Sequence, residues 1–315
     1  MPLCTLHLIR LSKEGELGSS DARCASFLKL LLASDLGPRL LVASLVRRPV
    51  ILAERIDSVY LNATPWDLLL VFGPDAKGPS VQASSIETKA TPLSLEDDSR
   101  TRAHVDVEYV LDVGVPTRIL SGYKGRTKEL VEAAARAKKP SLDSLRTEEP
   151  ARTHAGRVPK TSQNLEMSDE LLDLIEALEK LGDSGLVNGG GPVHQLNLLK
   201  FKPTKEDRDR YLEYGRGFAK AAEAHGGDAK LLGVVVADQT RAALQQQGSA
   251  KPSGKLQWDE ISLVHYHSLR DFAAMAASEA YQSINRDKRL PSLLDTTIIC
   301  TQEVDLDRLR RTAKL

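Results

Sequence analysis

Two imidazoles spaced one residue apart are the first groups that could do chemistry. His265 and His267 close the stretch WDEISLVHYH, Trp258–His267. Imidazole titrates near neutrality, so His265 is a candidate general base, able to move a proton in an isomerisation, cyclisation or oxygenation. The competing reading is a hydrogen-bonded structural histidine at a strand end. In a strand the pair shares one face, which a metal could use, but no third ligand stands at a recognisable spacing and no metal is expected. Asn197 and Tyr266 are candidates to orient a ligand's carbonyl or hydroxyl, and His267, nearer the loop, is a third candidate ligand contact. His194 reads as surface. Tyr211, Tyr214 and Tyr281 read as packing residues, and Arg286, Lys288 and Arg289 as cations suited to a helix end. Gly189-Gly190-Gly191-Pro192 lacks the GK[ST] of a phosphate loop, and no GxGxxG, GxSxG or HExxH occurs. No cofactor is expected.

These residues need a scaffold, and composition bounds it. The 315 residues are 41% hydrophobic but only 4% aromatic, so the core must rest on Leu, Val, Ile and Ala. Lys+Arg and Asp+Glu both number 43. That balance disfavours a nucleic-acid surface or a polybasic membrane patch spanning the molecule. No apolar run approaches the roughly 18 residues of a membrane span. The N-terminus lacks a signal-peptide pattern, and Cys4, Cys24 and Cys300 suggest buried reduced thiols. An intracellular, cytoplasmic protein is expected.

Along the chain, strands are expected at Cys4–Leu11, Leu40–Leu52 (with Pro49 at an edge or bulge), Trp66–Phe72 and Val105–Leu120, and helices over Ala22–Ser34 and Lys128–Ala137. The segment from Pro74 to about Ala103 is polar and reads as a flexible insertion within a first domain, 1–138. A linker over 139–167 follows. Ser168 caps an amphipathic helix, Asp169–Leu181, which should pack on a neighbouring domain or subunit, before a loose glycine hinge ending at Pro192. From 193 to the end the pattern is strand (194–202), helix (205–225), strand (230–237), strand (258–267), helix (269–285), strand (296–303). That β-α-β-β-α-β order is ferredoxin-like and leaves one sheet face uncovered.

HQLNLLKFK, YLEYGRGFAKAAEAHGG, WDEISLVHYHS and FAAMAASEAYQSINRDKRLPSLLDTTIICT resemble the family known as domain of unknown function 1330, over roughly 193–304. The family lies in the dimeric α/β-barrel superfamily. The resemblance implies an α+β fold in which two open sheet faces pair into a barrel. Members of the superfamily include cofactor-free monooxygenases of aromatic polyketides, lactone isomerases, cyclases and haem-dependent enzymes, with no shared catalytic motif. The first half reads as a degenerate copy: CTLHLIRL matches HQLNLLKF, and TPWDLLLVFG matches LQWDEISLVHYH. The barrel could then close within one chain as a pseudo-dimer, or between two chains as a homodimer. Two functions stay open, a small-molecule-binding protein or cofactor-free enzyme holding a hydrophobic metabolite between the sheets, and a non-catalytic interaction module. Strand alternation places Asp259, Ile261, Leu263, His265 and His267 on one face. The apolar centre of that set is expected against the helices, turning Glu260, Ser262 and Tyr266 to the barrel; the opposite assignment aims His265 at the cavity.

Overall fold

In the computed structural model, residues 1–12, 20–74, 95, 98–147, 163–240 and 256–313 are described. Eight strands, β1 (Leu3–Leu11), β2 (Leu40–Ile51), β3 (Leu68–Phe72), β4 (Val105–Gly114), β5 (Val193–Phe201), β6 (Asp228–Asp238), β7 (Glu260–Tyr266) and β8 (Leu293–Glu303), form one closed antiparallel barrel. Their order around it is β1-β3-β2-β8-β5-β7-β6-β4. Strands from the first and second halves meet at two seams, β2 with β8 (Leu45 opposite Gln302) and β4 with β6 (Val113 opposite Val235). Closure within one chain leaves no open edge to pair elsewhere. Pro49 falls in β2 at a register shift on the β8 seam, where its missing N–H is tolerated.

An eight-stranded barrel is just wide enough for side chains to fill it. Here Leu6, Leu8, Leu69, Leu111, Leu196, Leu198, Leu263 and Ile299 meet in one buried cluster. Two further clusters cover the outside. One packs Ile9, Leu70 and Phe72 under the Ser20–Ala33 helix. The other packs Val264, Tyr266 and Ile298 against Phe272 and Met275 of the Leu269–Ala277 helix and Leu171, Ile175 and Leu178 of the Asp169–Leu181 helix. The Ser168 cap on that last helix is present, its hydroxyl accepting from the Leu171 amide. Asp295, fully buried, stitches the halves: its carboxylate accepts from the amides of Glu54 (3.0 Å), Arg55 (2.8 Å) and Ile56 (2.8 Å).

The Trp-Asp pairs occupy matching places. Asp67 donates its amide to Ile9, accepts at its carbonyl from Val46, and takes the Leu11 amide on its carboxylate. Asp259 does the same with Leu199, Val235 and Phe201. In each half the aspartate stands just ahead of one strand and bonds to the two strands that flank it, β1 and β2 around β3, and β5 and β6 around β7.

Four expectations are corrected. Ile261 and Leu263 belong to the lumen, and Val264 and Tyr266 to the helix-covered outside. The apolar residues of β7 are needed inside because a closed barrel has its own core, which an open sheet lacks. The expected strand over Val105–Leu120 ends at Gly114, and a helix, Thr117–Arg136, begins beyond Pro116. The expected helix at 269–285 breaks at Ser278, whose hydroxyl caps a second helix, Glu279–Ile284, followed by a π-helical turn, Asn285–Arg289. The glycine stretch before β5 is closed rather than loose. A Cβ on Gly189 would sit 1.9 Å from the Leu178 carbonyl oxygen, and the Gly189 amide donates to Gly182 at 2.7 Å. Most of the expected insertion after Pro74, part of the 139–167 linker and residues 241–255 lie outside the described residues.

Candidate functional site

β7 sends His265 into the lumen, on the face of Ile261 and Leu263, where it is 1% exposed. Its Nδ1 lies 3.2 Å from Nε2 of His194, its neighbour in register on β5. His194 is buried at 2%, not the surface residue expected, because alternation on β5 puts it on the face of Leu196 and Leu198, lumen residues. Glu303 at the end of β8 completes the group: its carboxylate lies 3.4 Å from His194 Nε2, accepts from Tyr123 at 3.1 Å, and pairs with the Lys230 ammonium. Lys230 also sits 4.5 Å over the Tyr123 ring. Tyr123 comes from the Thr117–Arg136 helix, which follows β4 at this end of the barrel.

Burial governs the protonation of this group. Desolvation, with smaller pushes from Lys230, His267 and Arg126, lowers His265 to about 3. His194 is held well below the usual imidazole range by burial, then by Lys230 and His265. Burial also lowers Lys230, against the opposing pull of Glu303. Both imidazoles are therefore neutral at neutral pH. A base this weak accepts a proton poorly, and a general base works best with a pKa near the operating pH. Both this protonation and the position of His265, off the lining of the cavity described next, weigh against a general base there.

That cavity, about 1020 Å³, lies outside the barrel, between the Lys205–Glu223 helix and the outer face of β5, β7 and β6. Thr204 caps the helix, accepting from the Asp207 amide at 3.1 Å. The helix leans toward Glu279–Ile284: Gly217 lets the Ile284 side chain within 3.2 Å of where a Cβ would stand. On the opposite side the outward residues of β6, Leu232, Val234 and Val236, remain 44%, 43% and 58% exposed. The space between helix and sheet is the cavity. Across its floor Asn197 faces Ser262, which faces Leu232. Its aromatic wall runs from Phe201 to Tyr211 (ring centroids 4.7 Å), Tyr214 (5.2 Å), Phe218 (5.6 Å) and Tyr281 (6.3 Å).

Of the candidate residues, Asn197, Tyr266 and His267 line this cavity and His265 does not. Tyr266 points away from the barrel, edge-on to Phe272 at 5.1 Å, and its phenol is raised well above the ordinary value by burial. Asn197 donates to the carbonyl of Gln195 at 3.0 Å. His267 lies just past the end of β7, against Gly226, whose φ of 67° turns the chain there. The two histidines thus separate, one in the lumen and one on the cavity.

Two lining residues escape sequence reasoning. Gln195 is 1% exposed, its side chain finds no nitrogen or oxygen partner among the described residues, and it lies against the Cys300 thiol, its register neighbour on β8. Alternation with His194 was the available signal. Arg289, 2% exposed, is carried inward by the π-helical turn, in which the Leu290 amide bonds five residues back to Asn285. A 3.6-residue period misplaces it. Among the described residues no group of three or more histidine, cysteine or acidic side chains could hold a metal, and no helix is long and apolar enough to cross a membrane.

No family model matches the chain, and no curated protein matches it. Among solved structures it is similar to RPA0582, a protein of unknown function from Rhodopseudomonas palustris, at 19% identity over 44% of this chain and 94% of that one, with a TM-score of 0.32. It is also similar to a chlorite dismutase from Candidatus Nitrospira defluvii in complex with imidazole, at 13% identity over 99% of this chain and 94% of that one, with a TM-score of 0.39. Likeness this distant carries no chemistry to this chain, which is a mixed α/β protein built on a closed eight-stranded barrel.

Proposed function

We propose that this chain is a small-molecule-binding protein of the dimeric α/β-barrel type, whose two ferredoxin-like halves form a tandem pair, the second of the domain of unknown function 1330 kind. The matching bonding of Asp67 and Asp259 supports the tandem reading. The observation that carries the function is the cavity of about 1020 Å³, walled by aromatic rings with a few polar groups, the usual make-up of a ligand site. Asn197, Tyr266 and His267 are its proposed ligand contacts. The ligand is a hydrophobic molecule held on the outer sheet face and not between the sheets, because Leu, Val and Ile fill the lumen. Filling the lumen also favours binding over turnover by His265.

The test is titration with Nile red, a neutral dye that fluoresces in apolar surroundings. Saturable binding to the wild type is expected, weakened about tenfold or more in Ser262→Phe, which projects a ring from the cavity floor. No saturable binding to the wild type, or equal binding to both proteins, refutes the reading.

A further inference from the structure

The charges around the cavity balance except at one point. Arg126 pairs with Asp228, and Arg208 with Glu260 at 3.1 Å. Arg216 and Glu223, on the exposed side of the Lys205–Glu223 helix, are solvated. Arg289 is different. It is 2% exposed and has no carboxylate partner among the described residues. Its Nη1 donates to the Gln163 carbonyl at 3.0 Å and to Asn285 at 3.3 Å, both neutral, and its Nη2 has no hydrogen-bond partner among the described residues. A guanidinium keeps its charge under all ordinary conditions, so burial cannot neutralise it as it does His265. Buried charges in folded proteins are paired, and this one lines a cavity large enough to hold its partner. The backbone points the same way, since π-helical turns are rare and concentrate at functional sites.

We infer that Arg289 is the anion anchor of the cavity and that its ligand is a hydrophobic monocarboxylate. One unpaired positive charge calls for one negative charge; a phosphate dianion would leave an excess with no second buried cation to meet it among the described residues that line the cavity. The two uncommitted protons of Nη2 suit a carboxylate oxygen. Tyr211, Tyr214, Phe218 and Tyr281 supply the apolar wall, which suits a planar or aromatic body. Gln195 is a separate polar point, able to donate to or accept from a further oxygen on the ligand.

The inference rests on the reading that the cavity takes a ligand, and the test separates the two. Nile red bound to the full-length protein is displaced with 2-naphthoate and, in parallel, with its uncharged methyl ester. The acid is expected to displace the dye at a concentration about tenfold or more below the ester in the wild type. In Arg289→Met that preference is expected to vanish. Equal displacement by acid and ester in the wild type overturns the carboxylate inference while leaving the cavity reading standing. A preference that survives in Arg289→Met overturns the role of Arg289. Absence of dye binding to the wild type overturns both. The acid–ester comparison needs no variant, so it decides the matter even where Arg289→Met does not fold, and Arg289→Lys, which keeps the charge, is expected to retain part of the preference.

Discussion

Acidification from pH 7 to pH 5, applied to the wild type and to His265→Gln, probes the lumen polar group directly. Folded His265 stays neutral down to about 3, whereas in the unfolded chain it takes a proton near the ordinary 6.5. The folded pKa is depressed, so its share of stability is fully present above 6.5 and is lost as pH falls toward 3. Each pH unit within that window costs about 1.4 kcal/mol for each such histidine. Between 6.5 and 5 His265 accounts for about 2 kcal/mol, and across the whole window for roughly 5 kcal/mol. His194 is shifted in the same direction and steepens the wild-type fall. Urea unfolding at pH 7, 6 and 5 measures it. The readout is the slope of stability against pH, so a general loss on substitution does not confuse it. His265→Gln should remove about 2 kcal/mol of the fall between pH 7 and pH 5, most of it between pH 6 and pH 5. Identical slopes in the two proteins would refute the placement of a neutral, desolvated imidazole in the lumen.

Two further substitutions test what joins the halves and what fills the barrel end. Asp295→Ala removes the acceptor for the amides of residues 54–56, of which Ile56 is buried away from water, and should cost about 3 kcal/mol by urea unfolding; a loss below about 0.5 kcal/mol would show that the seam does not depend on it. Lys230→Met strands the Glu303 carboxylate and should cost about 3–5 kcal/mol, most of it recovered in the double variant Lys230→Met/Glu303→Gln. Strictly additive losses would contradict the pairing.

Strands were legible where apolar residues are dense, because a barrel strand buried on both faces reads as a continuous apolar run. WDLLLVF is such a run and forms β3, buried along its whole length; KLLGVVVA is as apolar, although the outer face of β6 stays exposed at Leu232, Val234 and Val236. The same property hid the facing of β7: with core on both sides, alternation in WDEISLVHYH could not say which set lies inside. Asn197, Tyr266 and His267 stand out in the sequence as polar or amphipathic residues on or next to strands, and the cavity they line is not the one expected. Arg289 was invisible for a different reason. The basic run NRDKR suits any helix C-terminus, and only the extra residue in the π-helical turn brings its last arginine inward. Glu303 and Lys230 lie 73 residues apart, and nothing local to either announces the pair.

A ligand site on the outer face of the sheet, and not in the lumen, can be located by measurement. Hydrogen-exchange mass spectrometry with and without saturating Nile red tests it most directly. Added protection is expected in the Lys205–Glu223 helix and the Asn285–Arg289 turn, with β1 and β4, whose residues do not line the cavity, unchanged. Added protection in β1 and β4 with none in the Lys205–Glu223 helix would put the ligand inside the barrel and overturn the outer-face site.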